Sequence, residues 1–342
     1  MTLTLEEKQI LKSIVVASDN DPKNPEFPSD NPKFPATETY QIQVPGFSNV
    51  WLKDESQNPT GTHKDRMAWE IVVTYRNILL AKKDSNHDNP LPSMSIVSSG
   101  SAAIAIQAQL RAYGLPNLKV LVDVGLRSEI VQSLEYAGCE VFRADLSDKA
   151  YGSSEILKLT NNIHGFDITS NKALDPDTRF YDWLSYEIIN NSPEYCFIPF
   201  GTGTLYMNIM NITKQVVTSK VADPRFSGDR EVLRNCHFMG ATTDDPKTKA
   251  EKLYSPHLPF VSLDEPWLRM YKEAGFCGEQ SDVYIFQEKY LEDAVKILEA
   301  QDVQCEPSAA AGLALMLQME DVLPRDRKML VVSTGKVKGI PA

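Results

Sequence analysis

Residues 53–66 constrain the fold of this chain most strongly, because they set a turn directly before a helix. They read K-D-E-S-Q-N-P-T-G-T-H-K-D-R. Pro59 presets one backbone dihedral and Gly61 supplies freedom at positive φ, as tight turns require. Thr62 is a good helix N-cap, and the residues from Lys64 onward favour a helix. The segment therefore predicts a lysine beside the unpaired amides of a first helical turn, where the helix dipole favours a bound anion.

This segment resembles the lysine motif of pyridoxal-phosphate enzymes of the tryptophan synthase β type, particularly threonine synthases, whose motif is close to K-D-E-x-x-N-P-T-G-S-F-K-D-R. The resemblance implies that Lys64 is the catalytic residue and forms a Schiff base with pyridoxal 5′-phosphate. It also implies that His63 contacts the cofactor and that Lys53 binds a phosphate on the substrate. For a bare Lys-Asp-Arg the alternative is a solvated surface cluster, for His63 a core or surface imidazole, and for Lys53 a solvated lysine.

A second motif, at residues 95–105, joins a short apolar run to a turn of small residues and an alanine-rich helix. Free amides at such a helix start bind carboxylates. The family has S-S-G-N here, a loop that holds the substrate carboxylate, which implies a substrate-binding role for Ser99, Gly100, Ser101 and Ala102. Ser101 replaces the asparagine that reaches the cofactor ring oxygen, so Ser101 is also a candidate cofactor contact. An ordinary strand-to-helix turn is the alternative.

A third motif, at residues 195–206, is an apolar run that ends in a glycine-rich turn before a helix. Glycines let the backbone approach an anion, and amides with threonine hydroxyls can surround a phosphate. The turn resembles the G-T-G-G-T phosphate loop of cysteine synthases and lacks the spacing of a dinucleotide fingerprint. The implied cofactor-phosphate ligands are Gly201, Thr202, Gly203, Thr204 and Leu205.

The fourth motif lies at residues 328–336, where an apolar strand delivers a hydroxyl at its carboxyl end. The family places Ser or Thr there against the pyridine nitrogen, and Thr334 is the better match. A neutral partner weakens the ring as an electron sink, which favours elimination or replacement over transamination and racemisation. Glu306 begins an E-P-S-A-A segment that resembles a helix start near the cofactor in the family, although an acid is also common in a first helical turn.

Composition indicates a globular protein with no general affinity for polyanions. The chain has 342 residues, of which 42% are hydrophobic and 24% charged, and the formal charge is 35 − 46 = −11. That charge argues against partners such as nucleic acid or an anionic membrane. The five cysteines form no CxxC pair and the histidines show no ligand spacing, so we expect free, buried thiols and no metal. The N-terminus has no signal-peptide pattern and no apolar run could span a bilayer, which favours a cytoplasmic location.

Alternating apolar runs and helical patterns predict an α/β protein with parallel sheets and right-handed crossovers. The resemblance implies a tryptophan synthase β-like fold, two open parallel-sheet domains with the cofactor in the cleft between them, and commonly a homodimer. The predicted elements are strand 95–98, helix 102–113, strand 119–124, helix 128–137, strand 140–144, strand 195–200, helix 205–217, strand 237–241, strand 283–287, helix 291–300 and strand 329–333.

We expect three regions along the chain. Residues 1–55 hold a short helix ending near Val16, a proline-rich segment over residues 17–37 and a segment that joins the larger domain. The proline-rich segment is either an extended arm across the surface or a disordered linker. The smaller α/β domain, residues 56–178, carries the lysine and the carboxylate loop. The larger α/β domain, residues 179–342, carries the phosphate loop.

The expected activity is that of a pyridoxal-phosphate-dependent lyase or synthase, which removes the α-proton of an amino acid and eliminates or replaces a β or γ substituent. The lysine motif and Thr334 favour threonine-synthase-like chemistry. The Gly201 loop favours a cysteine-synthase-like β-replacement, and a serine or threonine dehydratase or an ammonia-lyase is also possible. A cofactor-binding relative without efficient catalysis, or a nucleotide-binding module that uses Gly201–Thr204, would be a protein of another class.

Overall fold

The computed structural model describes residues 35–71, 92–98, 100–112, 114–146, 151–169, 180–254 and 265–338. The predicted N-terminal helix, most of the proline-rich segment and Ser99 lie outside these residues. The chain divides into two compact units, one including Lys64–Phe180 and the other Ala36–His63 with Tyr181–Val337. The domain boundaries proposed from the sequence stay a prediction.

The described residues contain ten strands and nine α-helices with the bounds given below, and helical backbone also runs over residues 64–71. The strands are β1 (Thr39–Val44), β2 (Phe47–Asp54), β3 (Met94–Val97), β4 (Lys119–Asp123), β5 (Glu140–Ala144), β6 (Phe166–Asp167), β7 (Tyr195–Pro199), β8 (His237–Thr242), β9 (Asp282–Ile285) and β10 (Met329–Ser333). The helices are α1 (Ser101–Ala112), α2 (Ser128–Ala137), α3 (Ser153–Leu159), α4 (Asp182–Ile189), α5 (Thr204–Thr218), α6 (Arg230–Arg234), α7 (Glu265–Glu273), α8 (Glu288–Glu299) and α9 (Pro307–Gln318).

The unit that includes Lys64–Phe180 is built on a four-stranded sheet in the order β5-β4-β3-β6, with every pair parallel. Its middle strands β3 and β4 are almost wholly buried, as expected of parallel strands covered on both faces. The turn after β3 leads directly into α1, so the carboxylate motif lies at the carboxyl edge of this sheet.

The other unit is built on a six-stranded sheet in the order β1-β2-β10-β7-β8-β9. All of its pairs are parallel except the hairpin of β1 and β2. The loops that follow β2, β7, β8, β9 and β10 consequently leave from one edge of the sheet. Both the phosphate motif after β7 and Thr334 after β10 therefore lie along that edge.

Helix α9 is the central helix of this unit, and every residue from Ser308 to Leu317 is buried. A helix that is apolar all round must pack on several sides, and α9 contacts α8, β7, β8 and β10. Gly312 permits the closest approach, because a Cβ there would lie 2.8 Å from the carbonyl oxygen of Phe197. This packing fixes the start of α9, and hence Glu306, relative to the sheet edge.

The predicted α/β class with mostly parallel sheets is confirmed. Each predicted strand and helix that falls within the described residues is found, and the largest shift of an end is three residues, at the start of α8. The hairpin of β1 and β2 and the elements β6, α3, α4, α6 and α7 were not anticipated.

The cysteines have no disulfide partners, and four of the five are buried. Burial raises the pKa of the Cys139 and Cys305 thiols to about 12, which suits structural thiols rather than reactive ones. In the part of the chain that the structure describes, no helix is both long and apolar enough to cross a membrane.

Candidate functional site

The glycine-rich motif forms a tight turn from β7 into α5. Gly203, the residue before the helix, adopts φ of +80°, which favours glycine. The first helical hydrogen bond runs from the Met207 N–H to the Gly203 carbonyl at 2.9 Å, and no side chain caps the helix. The amides of the first turn therefore have no acceptor within the helix. The Thr202 and Thr204 hydroxyls lie 3.1 Å apart beside them.

Gly201 is held against a second segment of the same unit. A Cβ at this position would lie 2.9 Å from the carbonyl oxygen of Lys252, so only glycine fits without a shift. The turn thus combines unpaired amides, two hydroxyls and an absence of side-chain bulk. These features suit a phosphate group.

The end of β10 carries two neighbouring hydroxyl residues. Ser333 is fully buried, and its Oγ has no hydrogen-bond partner in the part of the chain that the structure describes. Thr334 follows it and is also buried. A buried hydroxyl without a protein partner is either completed by a ligand group or left unsatisfied in the fold.

The turn before Lys64 packs against the residues that follow β10. Thr62 forms an antiparallel bridge with Gly335, and the Lys336 N–H donates to the Gly61 carbonyl at 2.8 Å. Gly335 adopts φ of +90°, and a Cβ on it would lie 2.1 Å from Gly61 O, so a glycine is needed here for both conformation and space.

His63 makes the contact that joins two of the sequence motifs. Its main-chain N–H donates to the Thr334 carbonyl at 3.2 Å, and the ring Nδ1 lies 3.4 Å from the same oxygen. Its ring is 5.4 Å from the Tyr181 ring, between centroids. Lys64 follows His63 in the chain, is half-buried and begins the helical backbone of residues 64–71. The backbone of the lysine motif is therefore bonded to a residue 271 positions away in the sequence.

Lys53 is buried, so the alternative of a solvated lysine is wrong. Its ammonium donates to Glu187 Oε2 at 2.6 Å and to the Thr37 carbonyl at 2.7 Å, and it lies 3.8 Å from Glu55 Oε1. Glu55 in turn accepts a hydrogen bond from Asn58 Nδ2 at 2.8 Å, at the first residue of the turn. The role of Lys53 in substrate binding stays a prediction.

The carboxylate motif, in the unit that includes Lys64–Phe180, has the predicted strand–turn–helix form. Gly100 adopts φ of +140°, and its N–H donates to Ser98 Oγ at 3.2 Å. Ser101 and Ala102 are the first two residues of α1, and both are half-buried. Gly100 precedes them and accepts the Ile104 N–H at 3.0 Å, so the amides of Ser101 and Ala102 have no intrahelical acceptor.

Lys252 belongs to none of the four sequence motifs, and the sequence alone did not indicate it. Lys252 follows β8, and its ammonium pairs with the carboxylate of Glu306, the residue before α9. The two positions are 54 residues apart, so no local pattern could have linked them.

Comparison with known proteins identifies the class. Residues 35–335 match the family model described as pyridoxal-phosphate dependent enzyme. The chain belongs to this family, and its cofactor is pyridoxal phosphate.

The chain is 24% identical to a threonine synthase of Synechocystis sp. over 84% of its own length and 71% of the relative's. Among solved structures it is similar to O-ureido-L-serine synthase, with a TM-score of 0.62, 16% identity and coverage of 88% of this chain and 89% of that one. It is also similar to the processed form of threonine deaminase isoform 2 from Solanum lycopersicum, with a TM-score of 0.55, 14% identity and coverage of 85% and 80%. At these identities the structural likeness establishes the fold alone.

The residues described above fit this cofactor. Its phosphate matches the unpaired amides and the glycine-lined turn before α5, where a Cβ on Gly201 would lie 2.9 Å from a carbonyl oxygen. The roles of individual residues are taken up below as proposals.

Proposed function

We propose that this protein is a pyridoxal-phosphate-dependent lyase or synthase with threonine-synthase-like chemistry. It would remove the α-proton of an amino acid and eliminate or replace a γ substituent. The observation that carries the proposal is the hydrogen bond from the His63 N–H to the Thr334 carbonyl, because it joins the lysine motif to the proposed ring-nitrogen partner.

The cofactor, when bound, supplies an aldehyde that condenses with amines and a ring that withdraws electrons from the α-carbon. In our proposal Lys64 would hold the cofactor at its aldehyde carbon, and its amine, when free, would take the α-proton of the substrate. The amides and hydroxyls of Gly201–Leu205 would hold the phosphate, which His63 would also reach. The Thr334 hydroxyl would be the partner of the ring nitrogen.

The substrate carboxylate is assigned to the turn before α1. The amides of Gly100, Ser101 and Ala102, with Ser99, would hold its two oxygens. Ser101 stands where an asparagine is usual in the family. The family resemblance therefore supports the contact of Ser101 with the ring less than it supports the other proposed contacts. Changing Ser101→Asn should raise turnover little in an enzyme adapted to serine, and strongly in a relative that has lost efficient catalysis.

The absorbance spectrum of the purified protein tests the cofactor and its lysine. Wild type should show a visible band that borohydride removes, and Lys64→Ala should lack it. A protein without the band, even after addition of pyridoxal phosphate, would exclude the proposed enzyme function. Protection against thermal unfolding by ATP or NAD, with none by pyridoxal phosphate, would favour a nucleotide-binding module instead.

Substrate screening separates threonine-synthase-like chemistry from its nearest alternative. Turnover of O-phosphohomoserine to threonine supports the proposal. A cysteine-synthase-like β-replacement is the second candidate, because the turn before α5 reads Gly-Thr-Gly-Thr. β-Replacement on O-acetylserine without threonine formation would establish that candidate, and ammonia release from serine or threonine would establish a dehydratase or ammonia-lyase. A cytoplasmic homodimer remains our expectation, and sedimentation tests the dimer.

A further inference from the structure

Lys252 lies where three parts of one unit meet. Its carbonyl oxygen lies against Gly201, 2.9 Å from where a Cβ would stand. Its N–H donates to Ser308 Oγ at 3.2 Å, in the first turn of α9. Its ammonium pairs with Glu306. Lys252 therefore contacts both the proposed phosphate turn and the start of α9.

Glu306 extends this connection to the end of β10. It is the residue before α9, yet its carboxylate makes no capping hydrogen bond with the helix. Its N–H donates to the Gly335 carbonyl at 3.4 Å, directly after Thr334. The Lys252–Glu306 pair thus connects the two motifs assigned to opposite ends of the cofactor, the phosphate and the ring nitrogen.

The charges at this position are unusual. A cation near a helix N-terminus is disfavoured by the helix dipole, and the carboxylate of Glu306 compensates for it. The pair is also partly withdrawn from water, with 28% and 20% of the two side chains exposed, against 62% and 48% for the Lys249–Glu292 pair of the same region. Partial desolvation makes an unpaired charge costly here.

We propose that Lys252 is a positioning residue of the cofactor site, which holds the carboxylate of Glu306 and keeps it from repelling the cofactor phosphate. The assignment rests on the proposed function, because it takes Gly201–Leu205 as the phosphate site. Removing the ammonium leaves an uncompensated anion at Glu306, paired until then with a residue whose main chain lies against the turn that must bind a dianion. Removing both charges relieves that repulsion.

The test compares the affinity of the apoprotein for pyridoxal phosphate with its affinity for pyridoxal, which lacks the phosphate. Lys252→Met should weaken pyridoxal phosphate binding about fivefold, the loss expected for a partly exposed ion pair, and should weaken pyridoxal binding less. Lys252→Arg and the double variant Lys252→Met/Glu306→Gln should restore most of the affinity. Lys249→Met, which breaks the exposed pair, should change neither affinity.

Two results would overturn the proposal without touching the proposed function. One is a Lys252→Met protein that binds both ligands as wild type does. The other is an equal loss for both ligands that the double variant does not restore, since that pattern indicates general damage to the fold. Wild-type apoprotein that binds no pyridoxal phosphate would instead overturn the proposed function, and this proposal with it. Thermal unfolding of each apoprotein variant identifies any that are simply unstable.

Discussion

The Lys53 ammonium lies 2.6 Å from Glu187 Oε2, with both residues in the unit built on the six-stranded sheet. Lys53 is buried and also donates to a main-chain carbonyl, that of Thr37. A charge held in this way stabilises the structure around it. The threonine synthase resemblance assigns the same residue to a phosphate on the substrate, and the two roles make different predictions.

We expect Lys53→Met to lower the free energy of unfolding by about 3–5 kcal/mol, because it removes the ammonium from the buried Glu55 carboxylate and the partly buried Glu187 carboxylate. Denaturant unfolding of the apoprotein measures this directly. Lys249→Met breaks an exposed pair of similar length, 2.7 Å, and should leave the unfolding midpoint unchanged. A Lys53→Met protein of wild-type stability that shows only a raised KM for a phosphorylated substrate would support the substrate role instead.

Gly335→Ala should disrupt the turn that carries the lysine motif. The change forces a side chain into a left-handed backbone with φ of +90°, and its Cβ would lie 2.1 Å from Gly61 O. Gly275→Ala is the matched control, because it has φ of +67° and no atom within 4 Å of the new Cβ. We expect the control to cost about 1–2 kcal/mol of unfolding free energy, from backbone strain alone.

The excess cost of Gly335→Ala over Gly275→Ala measures the packing of the turn against the end of β10. We also expect Gly335→Ala, and not the control, to weaken pyridoxal phosphate binding, because the turn leads directly to Lys64. Equal effects of the two variants on both quantities would contradict this account of the turn.

Much of the fold could be predicted because a buried parallel strand appears in the sequence as a short, local run of apolar residues. The β10 sequence Met329–Ser333 is an apolar run that is buried throughout, and α9 combines a proline start with an all-apolar face. The β1–β2 hairpin was missed even though residues 39–44 alternate in polarity and a Pro-Gly pair follows them. Its strands directly follow a proline-rich stretch in the sequence, and prolines favour an extended arm over a paired strand.

The site could be predicted only as far as each motif is local. The turns at Gly100 and Gly203 follow from their own sequences, but no local pattern pairs His63 with Thr334 or Lys252 with Glu306. Such contacts depend on the order of strands in the sheet, which places β2 and β7 on either side of β10. That order is a tertiary property that a motif does not encode.

Ser333→Ala tests whether the unpartnered hydroxyl at the end of β10 serves a ligand. If Ser333 Oγ has no partner in the holoprotein either, its removal should leave the stability of the apoprotein unchanged or raise it, and should not alter pyridoxal phosphate binding. Thr334→Val should then be the variant that weakens binding and shifts the visible band. A larger loss of affinity in Ser333→Ala than in Thr334→Val would reverse the assignment of the ring-nitrogen partner.

Asp223 should make the stability of this protein depend on pH in the acid range. Burial raises the pKa of this carboxyl, but hydrogen bonds from Arg225 Nε and Nη2 at 3.0 and 2.9 Å, and from the Tyr186 hydroxyl at 2.6 Å, outweigh it and lower the pKa from 3.8 to about 2. A carboxyl with a lowered pKa in the folded state stabilises the protein at pH values above its unfolded pKa. That contribution is lost as the pH falls from 3.8 towards 2.

We therefore expect Asp223→Asn to lower the free energy of unfolding by about 1–3 kcal/mol at pH 7, where the charged acceptor is fully present. The difference from wild type should shrink at pH 3 and nearly vanish near pH 2, as measured by urea unfolding of the apoprotein. Asp293→Asn, in an exposed pair with Lys296, should leave the unfolding midpoint unchanged at every pH. A difference for Asp223→Asn that stays constant from pH 7 to pH 3 would mean that shape, and not charge, accounts for the stabilisation by this group.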